Sequence, residues 1–314
     1  MLGRLRDHFT HFMQMRAVRH HGSRVGWRIA PRYTHYLKAC QARFSEPLPP
    51  VGELAQPEAD FRRDGITSFW TPETATIANS MYTKIQDREV AGDHLWGELG
   101  PSGGRNYQGN VYLDFPELEK LFRGPLGIFL LNYYRTHFKI FYASMLKSVR
   151  ISDMPGGSQL WHSDSGPGTC VIVAFYLHDV LDEDAGVLHA LPWEQSMEIF
   201  KQEHKELHHM ARQRGINLRE ANRDIRRELM TTYYRDTINA NYRDAVRGPK
   251  GKAGLVVPFL NNVLHYGGYP AIGRERIALL IHCYPSDHPT DFDRYSRNGI
   301  PKTSPYPVDP ATHF

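Results

Sequence analysis

After residue 147 the chain breaks into short β-type runs: Ser148–Ile151, Cys170–Leu177, Gly186–Leu191, Leu255–Phe259 and Arg276–Tyr284. Gly, Pro and Asp separate them, and branched aliphatic and aromatic residues fill them. Strands this short bury little surface singly. They are stable only when they close on one another, as in a sandwich or jelly roll.

The flanking segments read differently. Thr71-Pro72-Glu73 is a helix start, with Thr71 as N-cap and Pro72 in the first turn, and the helix is expected to run to about Gln86. Residues 97–110 are rich in Gly, Ser and Asn and read as loop, whereas residues 116–146 read mostly as helix, opened by Pro116 and interrupted by Pro125. Residues 194–246 are highly charged and read as two or three helices of a solvated surface insertion.

Charge is uneven. Residues 1–43 hold nine Lys/Arg against the single acid Asp7, so a chain of net charge +4 has a basic leader and a mildly acidic body. A mildly acidic body argues against a broad nucleic-acid-binding face. Leu2, Leu5, Phe9, Phe12 and Met13 recur at roughly helical spacing in the leader. It reads either as a helix packed on the body or as a peripheral contact, through residues 1–43, with the inner face of an anionic membrane. Glu46-Pro47-Leu48-Pro49-Pro50 then reads as a linker. The expected division is a basic helical extension with its linker over 1–56 and one catalytic domain over 57–314. No transmembrane helix is expected, and the start lacks the apolar core of a signal peptide. Cys40, Cys170 and Cys283 are odd in number and far apart, which fits a reducing cytoplasm.

The sharpest local feature is Gln159-Leu160-Trp161-His162-Ser163-Asp164. On extended backbone, residues i and i+2 share a face, so His162 and Asp164 aim an imidazole and a carboxylate at one point. A lone His-x-Asp is weak evidence, but His265 follows in Asn262-Val263-Leu264-His265-Tyr266-Gly267, just before the run that Arg276 opens. Two histidines and a carboxylate on a β scaffold form the facial set suited to non-haem Fe(II), with coordination positions left open. Other histidines fit less well. His204 and His208 are four apart on the charged insertion, but no His-Glu-x-x-His pattern accompanies them. His178 and His189 lack a carboxylate at suitable spacing, and Lys147 and Arg150, on the run before the metal motif, read by default as surface residues, with contact of one of them to substrate or cofactor as the alternative.

These pieces, in this order, resemble the phytanoyl-CoA dioxygenase-like branch of the Fe(II)/2-oxoglutarate-dependent oxygenases over about residues 58–286. Phe61-Arg62-Arg63-Asp64-Gly65-Ile66 before a helix is similar to that family's opening element. Trp161-His162-Ser163-Asp164 is similar to its metal motif, and Phe175–Leu177 with Asp184-Ala185-Gly186-Val187-Leu188 to the strands that follow. Leu191-Pro192-Trp193-Glu194-Gln195-Ser196 stands where the family has Pro-Gly-Ser-His and departs from it. His265, with Arg276 eleven residues later, resembles its distal histidine and its 2-oxoglutarate arginine. Arg274 has the same strand parity but lies in the turn beside Gly273.

The resemblance implies a mainly β fold with surrounding helices (α+β): a double-stranded β-helix, the cupin-like jelly roll, with N-terminal helices and a helical insertion. It implies that His162, Asp164 and His265 hold Fe(II), that Arg276 anchors 2-oxoglutarate, and that O2 is consumed. The expected reaction is hydroxylation of a small organic substrate of acyl, sugar or secondary-metabolite type, with succinate and CO2 as co-products. The presence of Asp164 favours hydroxylation over halogenation. Two alternatives stand beside it: a membrane-surface hydroxylase of a lipid-linked sugar such as Kdo, and a non-catalytic metal-binding jelly roll acting as sensor or binding module.

Overall fold

Pro125–Tyr134 is an apolar helix that ends where Arg135 turns left-handed, at φ 54°. The chain then enters a 13-residue strand, His137–Val149. The helix expected to continue to residue 146 is therefore corrected. Aromatic and β-branched residues fill much of the segment, and it pairs along nearly its whole length with Glu275–Ser286, so sheet formation overrides local propensity. The computed structural model describes residues 31–100, 103–151, 157–164, 170–218 and 220–301.

In chain order the helices are α1 (Pro31–Arg43), α2 (Ala55–Asp64), α3 (Pro72–Val90), α4 (Val111–Asp114), α5 (Leu118–Arg123), α6 (Pro125–Tyr134), α7 (Trp193–Gln213), α8 (Arg223–Asn241) and α9 (Phe292–Asn298). The strands are β1 (Gly104–Asn106), β2 (His137–Val149), β3 (Val171–Tyr176), β4 (Leu188–Ala190), β5 (Val256–Leu260), β6 (His265–Gly267) and β7 (Glu275–Ser286). β1 falls inside the segment read as loop, pairing Gly104–Asn106 with Leu146–Ser148. α3 starts as expected: Thr71 Oγ1 accepts from the Thr74 amide, and Thr74 Oγ1 accepts in return from the Thr71 amide. It runs four residues past Gln86, to Val90. Gly65 closes α2 at φ +71°, and a Cβ there would meet Leu260 and Val263 at 3.1 Å.

The major sheet has the order β1-β2-β7-β3-β5 and is antiparallel throughout, while β4 and β6 form a second, two-stranded sheet. On β7 the odd positions Ile277, Leu279, Ile281 and Cys283 are fully buried in the main core, which also holds Phe61, Met81 and Phe129 of the helices. The even positions face the minor sheet, because the Arg276 guanidinium donates to the carbonyls of Gly186 and Gly268 beside it. Residues directly opposed across a ladder share a face. Ser148, Leu146, Ser144 and Tyr142 of β2 therefore look inward beside Arg276, Ala278, Leu280 and His282.

The insertion also differs from expectation. α7 and α8 bury a core of their own, with Phe200, Leu207, Leu229 and Tyr234 packed around Leu191 and Leu264. Charge covers only the outer faces. Within the leader, α1 packs on the body: Tyr33 and Cys40 are buried, and the Tyr36 hydroxyl donates to Pro285 O on β7. Residues 1–30 of the leader lie outside the described residues. No described helix is long and apolar enough to cross a membrane.

Candidate metal centre

His162 and His265 are joined through their backbones. The His162 amide donates to His265 O at 3.0 Å and the His265 amide to His162 O at 2.8 Å. His162 is a single bridge residue rather than part of a longer strand. The same-face argument made for His162 and Asp164 therefore holds through this bridge, not through a ladder. His265 opens β6 and is paired with Ala190 of β4, and Leu264 is tied to Leu191 by a backbone bond. The imidazoles lie side by side with centroids 4.4 Å apart.

Asp164 closes the group. Its Oδ1 is 3.7 Å from His162 Nε2, and its Oδ2 is 3.7 Å from His265 Nε2. One donor atom from each residue lies within 4.8 Å of the others, so the three side chains can hold a metal ion. Each ring is also fixed from behind. His162 Nδ1 is 2.7 Å from Leu160 O, and His265 Nδ1 is 2.9 Å from Val263 O. A carbonyl accepts only, so Nδ1 carries the proton in both rings and the Nε2 lone pairs face Asp164. Metal-ligating imidazoles are held in this way. Burial, and then the neighbouring His162, push the His265 pKa down to about 4, so that ring is neutral and ready to ligate at physiological pH. His265 is buried, while His162 and Asp164 are partly exposed, so the group opens to solvent on one side.

Arg276 is 7% exposed and pairs with no carboxylate among the described residues. Burial lowers its pKa. Its Nη1 donates to Gly186 O at 2.6 Å and Gly268 O at 3.1 Å, and its Nη2 to Ser148 Oγ at 3.0 Å. Nε has no partner. Of the five N–H donors of a guanidinium, two remain: one on Nη2 and the one on Nε. Nε and Nη2 are adjacent on the guanidinium, and a carboxylate that reached this side could accept from both. Gly267 allows the approach, since a Cβ there would lie 3.3 Å from Nη2. Arg274 by contrast is exposed and paired with Asp182 at 2.7 Å.

The remaining candidates lie elsewhere. His178 Nε2 accepts from the Ile277 amide at 2.9 Å. His189 stacks on Tyr266 and meets Glu183 at 2.8 Å. His204 and His208 touch edge to face on α7. Lys147 bridges Glu89 and Glu275, and Arg150 lies over the Tyr269 ring. Sequence reasoning passed over His282, Tyr142, Ser144 and Ser148. His282 shares the parity of Arg276 on β7, which was the available signal. Burial holds the His282 pKa at about 4 despite the opposing influence of Asp164.

No family model and no curated protein matches the chain. Among solved structures it is similar to the epimerase SnoN in complex with Fe3+, alpha ketoglutarate and nogalamycin RO, at 12% identity over 75% of this chain and 85% of that one, with a TM-score of 0.50. It is also similar to EctD from S. alaskensis with bound Fe, at 14% identity over 77% of this chain and 80% of that one, with a TM-score of 0.48. The fold is that of the non-haem iron and 2-oxoglutarate-dependent oxygenases, a jelly roll of antiparallel sheets with packed helices.

Proposed function

We propose that this protein is an Fe(II)- and 2-oxoglutarate-dependent dioxygenase that hydroxylates a small organic substrate. The observation that carries the reading is the pairing, in one cleft between two sheets, of a His-Asp-His group with a buried guanidinium that has two spare donors on one edge. His162, Asp164 and His265 hold the iron, and Arg276 receives the distal carboxylate of 2-oxoglutarate. When bound, the metal and co-substrate supply the O2-dependent oxidation that yields succinate and CO2.

The chain's own contribution is placement. The carbonyls of Leu160 and Val263 keep both imidazoles in the ligating tautomer. Gly186, Gly268 and Ser148 lock the guanidinium plane, so a carboxylate meets a fixed edge rather than a mobile side chain. Ala278 and Leu280 continue the same face of β7 and give the cleft apolar lining beside the guanidinium. Retention of the Asp164 carboxylate supports hydroxylation as the outcome, as the sequence resemblance implies.

The test is Fe(II) and 2-oxoglutarate binding without O2, followed by succinate release when O2 is admitted. Slow succinate release without added substrate is expected. Tight binding of both with no succinate under any condition would replace the enzyme reading with the sensor.

A further inference from the structure

The inward positions of the major sheet form cross-strand rows. One row runs Phe259, Ile172, His282, Tyr142 across β5, β3, β7 and β2. It is level with the metal group, because the Phe259 ring lies 4.8 Å from the His265 ring. Arg276 lies six residues from His282 along β7, at the other end of the cleft, beside Ser148. The two ends are therefore chemically distinct.

The metal end has a built wall. The β2–β7 register slips between Ile140 and Tyr142, so Phe141 is the extra residue of a β-bulge. The bulge brings two rings onto His282: Phe141 at 5.6 Å and Tyr142 at 4.8 Å, both edge to face. Phe141 is buried behind it, and Tyr142 is half-buried and reaches the cleft. The Tyr142 hydroxyl donates to Ser144 Oγ at 2.8 Å, and Ser144 is half-buried on the same face. Between the bulge and Arg276, the inward positions of β2, β3, β5 and β7 carry one cation, Arg276 itself.

We propose that this wall recognises the substrate, and that His282, Tyr142 and Ser144 grip an uncharged, hydroxyl-bearing group such as a glycoside or cyclitol ring. The inference rests on the dioxygenase reading and narrows its substrate. An imidazole and two hydroxyls offer both donors and acceptors without net charge, which matches vicinal hydroxyls. Tyr142 is half-buried, and an aromatic ring can also pack on the C–H side of such a ring. Phosphate-rich substrates such as acyl-CoA need cations, and the inward positions of the described strands β2, β3, β5 and β7 supply none at this end.

The experiment uses the full chain with Fe(II), 2-oxoglutarate and O2, and reads succinate release. The probes are methyl α-D-glucopyranoside, methyl α-D-mannopyranoside, myo-inositol and decanoyl-CoA. At least one polyhydroxyl probe is expected to raise succinate release at least fivefold, and decanoyl-CoA not to. His282→Phe is expected to raise the KM for that probe at least tenfold. His282→Gln, which keeps a donor and an acceptor, is expected to recover most of the loss, and Tyr142→Phe to fall between them. Melting curves show whether the variants fold alike. Equal KM values for the Phe and Gln variants, or stimulation by decanoyl-CoA alone, overturn the proposal. So does succinate release that no polyhydroxyl probe increases, and in that case the dioxygenase reading stands. Absence of succinate under every condition overturns both.

Discussion

Replacing Arg276 by Lys keeps the charge and removes the edge. In the native chain three of the five guanidinium donors are held by Gly186 O, Gly268 O and Ser148 Oγ, which leaves two for a ligand carboxylate. A hydrogen bond to a charged group is worth about 1.5–3 kcal/mol. Lysine keeps one point-charge contact and loses the second, whereas alanine loses both. Affinity for 2-oxoglutarate should therefore fall about tenfold to a hundredfold in Arg276→Lys, at about 1.4 kcal/mol per decade. In Arg276→Ala it should fall by a further tenfold or more. Arg274→Ala removes an exposed pair with Asp182 and should change affinity by less than about twofold. The assay is calorimetric titration of 2-oxoglutarate into the Fe(II)-loaded protein without O2, with melting curves as a check on folding. A Lys variant within twofold of wild type, or a larger effect at Arg274 than at Arg276, refutes the edge-recognition argument.

Three further outcomes follow from the same geometry. His162→Ala, Asp164→Ala and His265→Ala should each weaken Fe(II) binding at least tenfold, since each removes one of three protein ligands, and near-native affinity in any two defeats the triad. His178 is half-buried, desolvation lowers its pKa below that of the unfolded chain, and its Nε2 accepts from the Ile277 amide. The unfolded chain then takes the proton first. The stability held by neutral His178 is complete above about pH 6.5 and is lost as pH falls below it. Chemical denaturation of wild type and His178→Gln between pH 5 and pH 8 should show a shallower slope in the variant, and parallel slopes would remove His178 from the account. Leu264→Ala should cost about 2–5 kcal/mol, because Leu264 is fully buried in the core of the insertion, and denaturant unfolding measures it directly.

The β-type runs of the jelly roll and the nearness of His162 to Asp164 were legible because both are written in short-range spacing. The turn-separated runs gave β3, β5 and most of β7, and the i, i+2 pattern placed His162 with Asp164. What failed depended on partners distant in sequence. The run from His137 onward has no clean alternation, because Phe138, Lys139, Ile140 and Phe141 are all buried. Only β7 on one side and the helices on the other decide that it is a strand. The insertion looked solvated because it carries as many charged residues as apolar ones, yet Phe200, Leu207, Leu229 and Tyr234 need only one face of two helices to make a core. His282 showed in the sequence only through the parity it shares with Arg276, because a β-bulge in another strand sets its surroundings.

The reciprocal backbone bonds between His162 and His265 close a loop of roughly a hundred residues, within which the whole insertion lies. A metal ion held by both histidines would act as a cross-link across that loop. By chain-entropy reasoning such a staple can be worth up to about 4–5 kcal/mol, comparable to a disulfide closing the same span. Iron status would then govern the lifetime of the folded chain as well as its chemistry. Starved of iron, the protein would open first at the β4–β6 pair and the helices that lean on it, and present that region to proteases. The ion that equips the cleft would also tie together the two distant chain segments that carry its ligands.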